Sequence, residues 1–350
     1  MRTLEDLKTL QSYPLWLKVK LTKSRIHEWV TEYGTDGVYV SFSGGKDSTV
    51  LLHIVREMYP EIEAVFVNTG LEYPEIQTFA KSFDNVTVIR PKMRFDEVIK
   101  KYGYPFISKK VSKCVRSFKQ GSKWAKSNFE GKHNQTGEPN EYLQNHYGKW
   151  KELVNLDFNI SDQCCGIMKE KPLNTWCKEN GKVHIIGTLA EESVRRTAAW
   201  LKTGCNAFDS NRPISKPLSF WTNQDILQYI KENNLPIASV YGDVVYKSKD
   251  GKLYDNVLCD CGGKLCTTGC YGTGCIFCGF GAHLDCRGGG ESRFVRLKRT
   301  HPKQYYYCMG GGGYDSDGLW RPTKEGLGMA HCIDELNKLY SKGDKKFIEY

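Results

Sequence analysis

Along residues 38–42, Val38, Val40 and Phe42 alternate with Tyr39 and Ser41, the period-two pattern of a strand. Directly after the turn Ser43-Gly44-Gly45-Lys46-Asp47-Ser48, the residues Val50, Leu51, Ile54, Val55 and Met58 recur at helical spacing. Three further β-branched runs, EAVFVNTG (63–70), NVTVIRP (85–91) and KVHIIGT (182–188), each end at a turn and alternate with helical stretches. The pattern predicts an α/β fold with a parallel sheet covered by helices on both faces. In such sheets ligands bind beyond the carboxyl ends of the strands, where SGGKDS, Asn68-Thr69-Gly70 and Gly187-Thr188 all fall.

The opening stretch to about Tyr33 is helical in spacing, with Trp16, Val19, Ile26, Trp29 and Val30 expected to pack on the elements after it. Residues 108–160 interrupt the βα alternation and read as a partly helical, lid-like insert rich in Lys, Asn, Gln and Gly. Beyond Tyr241 the composition shifts to Cys and Gly. The expected organisation is a helical lead-in at 1–36, a nucleotide-binding domain at 37–240 carrying the insert, and a metal-binding module at 241–350. GGGGYDSDG (310–318) reads as a flexible surface linker, with a mobile loop near the site as the alternative.

A turn aimed at a helix start presents unpaired N–H groups and the positive end of the macrodipole, and two glycines let that backbone curl around an anion. Lys46 is placed to offset negative charge, Ser43 and Ser48 to donate hydroxyl hydrogen bonds, and Asp47 to cap the helix or hold magnesium through water. The spacing is not that of the Gly-x-x-x-x-Gly-Lys-Ser/Thr loop, because the lysine comes immediately after the glycine pair.

Composition adds two constraints. A formal charge of +10 from 50 Lys+Arg against 40 Asp+Glu suggests an anionic partner, with solubility as the plain alternative. In the insert, Lys109, Lys110, Lys113, Arg116, Lys119, Lys123 and Lys126, mixed with Phe118 and Trp124, form a candidate grip for DNA or RNA or else a solvated helical face. The start MRTLED has no apolar leader and no window has the length of a membrane span, so a cytoplasmic location is expected. In that compartment the 14 cysteines read as metal or iron–sulfur ligands where they cluster. Isolated Cys114, Cys177, Cys205, Cys308 and Cys332 read as buried apolar residues. CDCGGKLCTTGC offers Cys259, Cys261, Cys266 and Cys270 to a tetrahedral zinc, with Cys286 or His283 as substitute ligands in either cysteine set.

SGGKDS resembles the pyrophosphatase loop (PP-loop) of enzymes that split ATP between its α and β phosphates. QCCGIMKEKPL (163–173), GCIFCGF (274–280) and KPLSFWTNQDILQYIKENNLPIASVY (216–241) resemble landmarks of the phosphoadenylylsulfate reductase superfamily. With FVNTGLEYPE (66–75) and GTLAEESVRR (187–196) the resemblance runs collinearly over about residues 36–285 and implies an adenine nucleotide alpha hydrolase-like, Rossmann-like fold.

The resemblance implies that Cys164, Cys165, Cys275 and Cys278 hold a [4Fe-4S] cluster, four thiolates being the usual ligand set. Zinc on the same four is the alternative. Adjacent cysteines that share one cluster are expected at a helix start or kink. The resemblance further implies nucleotide contacts from Ser43, Gly44, Gly45, Lys46, Asp47, Ser48, Thr69, Gly70, Gly187, Glu192 and Ser193, and catalytic roles for Lys46, Asp47, Arg195 and Arg196. One of the two arginines is expected to pair with Glu191 or Glu192. Leu189 stands where family members usually carry arginine, which puts one sulfonucleotide contact in doubt.

Three functions fit these residues. The first is ATP- and magnesium-dependent adenylation coupled to sulfur transfer, with nucleic acid as acceptor and a protein as sulfur donor. The second is reduction of a sulfonucleotide to sulfite. The third is non-catalytic nucleotide or nucleic acid binding. The reductases' C-terminal Glu-Cys-Gly-Leu/Ile-His motif is missing around Cys308 and Cys332, and the intact lysine and aspartate of SGGKDS favour ATP. Self-association is left open.

Overall fold

The computed structural model describes residues 2–255, 263–287 and 290–350. The chain forms two compact units, each assembled from separated stretches. The first comprises Met1–Asn68, Glu72–Arg90 and Pro172–Thr273, and the second comprises Thr69–Leu71, Pro91–Lys171 and Gly274–Tyr350. The boundary expected near 240 therefore lies inside the first unit. The insert and the last 77 residues, Gly274–Tyr350, share the second.

The first unit is built on a six-stranded sheet in the order Val86–Ile89, Ala64–Val67, Val38–Ser41, Val183–Ile186, Ile214–Ser215, Asn206–Ala207. All neighbours are parallel except the last pair, which is antiparallel. This is the α/β fold expected from the sequence. Val38 and Val40 are fully buried and Val40 lies beside both Ala64 and Ile185, so the first strand is central. Helix Lys46–Met58 turns Val50, Leu51, Ile54 and Val55 into the core, all with no exposed surface. Burial of such side chains contributes about 1.5–3 kcal/mol each and holds the preceding turn rigidly at the sheet.

The lead-in forms helices Leu4–Ser12 and Leu15–Tyr33. Ile26, Trp29 and Val30 are buried as expected, but Trp16 is 61% exposed with the Lys20 ammonium over its ring. Lysine stems cover aromatic faces well enough that an exposed tryptophan need not enter a core. Lys18 on the same helix is buried and bonds both oxygens of Asp225 at 2.7 and 2.8 Å, a buried charge kept only because it is paired.

The second unit is mostly helical, with the short parallel pairing of Phe106–Ile107 and Gly279–Phe280 at its centre. A Cβ on Gly279 would lie 2.5 Å from the Phe106 ring, which is why glycine stands at the crossing. Of the insert aromatics, Phe118 packs on Phe129 and Trp124 on Tyr147, while Tyr142 is exposed.

The expected flexible linker at 310–318 is instead part of an ordered hairpin, Gly313–Tyr314 against Trp320–Arg321. Its glycines make room for Trp320: a Cβ on Gly312 would approach the indole to 2.4 Å and one on Gly328 to 2.6 Å. The indole N–H is donated to the Gly328 carbonyl at 2.9 Å. Glycine richness here serves close packing. Flexibility is not its purpose.

Candidate functional site

In the first unit the turn between Val38–Ser41 and Lys46–Met58 is closed by its own side chains. Ser48 Oγ accepts the Ser43 N–H at 3.2 Å, lies 3.0 Å from Ser43 Oγ and donates to the Gly45 carbonyl at 2.9 Å. Thr49 Oγ1 donates to the same carbonyl at 3.0 Å. The serines expected to bind phosphate thus shape the loop in this state. Gly44 takes φ +71°, and a Cβ there would press on Ile76 at 3.0 Å. Gly45 is the residue preceding the helix, and no side chain caps it, so Asp47 is not the cap.

Asp47 accepts from the Lys46 ammonium at 2.9 Å, and Lys46 is only 5% exposed. The Lys46 ammonium also lies 5.9 Å from the centre of the Tyr271 ring. A buried cation beside a helix N-terminus is suited to an anion's charge. Gly187, at the end of Val183–Ile186, passes so close to the loop that a Cβ would lie 2.9 Å from the Asp47 carbonyl oxygen. Loop and Gly187 are therefore brought together as expected.

The Glu191–Arg196 stretch divides into separate roles. Ser193 Oγ accepts the Arg196 N–H at 3.3 Å and caps helix Val194–Thr203, keeping its own O–H as a donor. Arg196 forms an ion pair with Glu192, the pairing expected of one arginine. Burial lowers the Arg196 pKa while the Asp47 charge raises it, which sets the guanidinium within electrostatic reach of the loop. Glu191 accepts the Asn223 N–H at 2.6 Å. Arg195 is exposed, and Leu189 is buried in the core.

Two residues missed by sequence reasoning sit on the loop. The Tyr241 hydroxyl accepts the Lys46 backbone N–H at 3.2 Å and lies 2.6 Å from Thr273 Oγ1. Tyr241 is 1% exposed, and burial pushes its pKa up to about 12. The position of Tyr241 at the end of the LPIASVY stretch was the available signal. Cys266 and Cys270 lie in this unit, half-buried and buried respectively, while Cys259 and Cys261 fall outside the described residues.

In the second unit Cys164, Cys165, Cys275 and Cys278 line one cavity, together with Leu71, Phe95, Pro105, Met168 and Lys169. Cys164 and Cys165 end a short helix, Gln163–Cys165, that passes directly into a π-turn at Gly166–Glu170. This is the helix irregularity expected for adjacent cysteines facing one site, since a π-turn shifts the side-chain register. Their sulfurs lie 4.0 Å apart. The Cys164 thiol, donating to its neighbour, holds Cys165 down to about 6 against the cost of burial, with Lys109 and Lys169 assisting. Cys164 itself is held protonated by the same contact and by burial. Burial also raises Cys278.

Four thiols with no carboxylate or imidazole among them are the donor chemistry of a cubane or a tetrahedral zinc. The cavity they line is about 20 Å³, smaller than a cubane. As placed, no set of three or more Cys, His, Asp or Glu side chains among the described residues closes on a metal ion. Thr69 and Gly70 belong to this unit, Thr69 Oγ1 accepting the Leu71 N–H at 3.1 Å. His283 packs on Phe347 and Trp150, and burial lowers it to about 4. Cys286 is half-buried, with its pKa raised by burial and by Glu349. Cys308 and Cys332 are fully buried with raised pKa values, unsuited to nucleophilic attack.

Residues 37–122 and 127–278 match the family described as phosphoadenosine phosphosulfate reductase domain. The chain belongs to this family, an enzymatic one of the PP-loop and sulfonucleotide reductase superfamily. It is 28% identical over 219 residues to adenosine 5'-phosphosulfate reductase of Oceanobacillus iheyensis, covering 62% of this chain and 71% of that protein. It is 23% identical over 322 residues to an uncharacterized protein of Methanocaldococcus jannaschii, covering 88% of this chain but only 56% of the relative. The solved phosphoadenylyl-sulfate reductase of Candida auris is similar at 13% identity and TM-score 0.36, covering 68% of this chain and 91% of that one, too slight a likeness to carry an argument. Among the described residues no helix is long and apolar enough to cross a membrane.

Proposed function

We propose that the chain is an ATP pyrophosphatase that adenylates a substrate and couples this to sulfur transfer. The observation that carries the reading is the buried Lys46 ammonium, paired with Asp47 on a closed Gly-Gly turn at a helix N-terminus. A reductase has no β and γ phosphates to hold, whereas a triphosphate gives this cation and the helix N–H groups a leaving group to stabilise. Gly44 and Gly45 admit the phosphates to the backbone, Lys46 offsets their charge, and Arg196 lies within reach of the same anion. Asp47 positions magnesium, and its pairing with Lys46 keeps both side chains fixed before substrate arrives. As pyrophosphate departs from the α phosphorus, charge grows on the oxygen nearest these groups, so they favour the transition state over the bound substrate.

Cys164, Cys165, Cys275 and Cys278 are the residues that would hold a [4Fe-4S] cluster, which when bound supplies electron transfer or a site for sulfur. The hydrogen bond from Cys164, with Lys109 and Lys169 assisting, favours the thiolate of Cys165, the form in which it ligates. Cys266 and Cys270 are the described members of the zinc set. Nucleic acid as acceptor rests on the exposed Lys109, Lys110 and Lys113 of the insert and on the net charge. The test is Lys46→Ala: turnover to pyrophosphate falls far more than ATP affinity, and equal loss of both contradicts the assigned role.

The second reading is a sulfonucleotide reductase. It is favoured by the similarity to the Oceanobacillus adenosine 5'-phosphosulfate reductase, and it predicts sulfite and AMP from adenylylsulfate with a thiol reductant.

A further inference from the structure

The first unit contains a cavity of about 290 Å³ that the nucleotide loop does not line. Its apolar walls are Leu10, Leu21, Phe208 and Phe220. They come from both lead-in helices and from chain beyond the edge strand Asn206–Ala207 and the strand Ile214–Ser215. The floor is Trp200, near the end of helix Val194–Thr203, together with Cys205.

Three features mark this space as more than a packing gap. Trp200 is 3% exposed, and its indole N–H, fully buried, meets no hydrogen-bond partner beyond the weakly accepting Cys205 thiol beside it. A buried donor left without a good acceptor is costly, and native structures seldom keep one without a purpose. The charge along the rim is also unbalanced. Arg25 is paired with Glu28 at 2.5 Å, and the other oxygen of Glu28 accepts from Asn206 Nδ2 at 3.2 Å, so this carboxylate is fully engaged. Arg2 also lines the cavity, exposed and with no direct ion pair among the described residues, the Asp6 carboxylate acting on it only at longer range. Its guanidinium lies over Gly204, which closes helix Val194–Thr203 at φ +71°, a conformation glycine adopts without strain. Finally, the walls combine two aromatic rings with two leucines, the lining typical of small-molecule sites with a few oriented polar groups.

We propose that this cavity binds a small aromatic monocarboxylate. The ring lies between Phe208 and Phe220, the carboxylate meets the Arg2 guanidinium, and an oxygen accepts the Trp200 N–H. An uncharged aromatic would satisfy the walls but give Arg2 no direct partner. A bare oxyanion would satisfy Arg2 but leave the aromatic walls wet.

The test is calorimetric titration of the full chain with phenylacetate and with indole-3-acetate, each against its neutral amide. Arg2→Gln, at an exposed position with no role in the core, and Trp200→Phe, which keeps a ring but removes the N–H, are titrated in parallel. At least one acid binds, its amide binds about tenfold more weakly, and Arg2→Gln weakens the acid about tenfold while melting like the wild type. Absence of binding by both acids at millimolar concentration overturns the proposal, as does equal binding of acid and amide or an unchanged affinity in Arg2→Gln.

Discussion

The phenolic oxygen of Tyr241 lies 3.2 Å from the backbone nitrogen of Lys46 and accepts its N–H, while Thr273 Oγ1 stands 2.6 Å away on the other side. One of the unpaired donors of a helix start is thereby satisfied by a residue 195 positions downstream. The contact ties the chain on either side of the Cys/Gly-rich stretch to the candidate phosphate loop.

Tyr241→Phe keeps the buried ring and removes this acceptor. The expected cost is about 1 kcal/mol, the usual worth of a hydrogen bond lost at a buried group. Urea denaturation of variant and wild type checks it, and identical midpoints contradict the assigned contact.

Gly312→Ala drives a methyl group into the Trp320 ring at a φ of +85°. Steric overlap and left-handed strain together should destabilise the second unit by at least about 2 kcal/mol. A melting temperature unchanged from wild type would show that the hairpin gives way freely, against the packing described.

Much of the first unit was legible because its strands and helices carry clean periodicity. The run 38–58 shows strand, turn and helix in succession, and the structure places Val38–Ser41 and Lys46–Met58 there. The helix irregularity at Cys164-Cys165 was legible for a geometric reason, since two adjacent side chains reach one site only where the regular register breaks. The features that stayed hidden depend on distant partners. Trp16 has core composition yet stays exposed beneath the Lys20 ammonium, and the glycines of 310–318 look flexible until Trp320 is seen to need their space. Beyond its place at the end of LPIASVY, Tyr241 gives no sign that its hydroxyl reaches Lys46, 195 positions away. The two units interleave along the chain, which a composition shift at 241 cannot reveal.

Burial, with Arg212 and Lys216 nearby, lowers His184 to about 4 from its ordinary value near 6.5. Between those values the unfolded chain takes up a proton that the native ring refuses. The stability contribution is whole above about pH 6.5 and is lost as pH falls towards about 4. The slope is at most about 1.4 kcal/mol per pH unit, and the total effect is reduced by solvent screening because the ring is half-buried. Denaturation of wild type and His184→Gln at pH 7 and pH 5 should show a smaller pH effect in the variant, and equal effects contradict the assignment.

Cys164→Ser, Cys165→Ser, Cys275→Ser and Cys278→Ser should each abolish the broad absorption near ~400 nm of a cysteine-bound cluster in anaerobically prepared protein. Cys205→Ser, outside that cavity, should keep it. Wild type that contains no iron or inorganic sulfide sinks the cluster.

The central claim is that the Lys46 loop serves cleavage of ATP between the α and β phosphates. The most direct measurement incubates anaerobic enzyme and magnesium with α-labelled ATP and a mixed RNA and DNA pool, in parallel with each sulfonucleotide plus a thiol reductant. The account predicts labelled AMP, free or on an acceptor, with stoichiometric pyrophosphate from the first reaction. Sulfite from the sulfonucleotides, with ATP left intact, would contradict it.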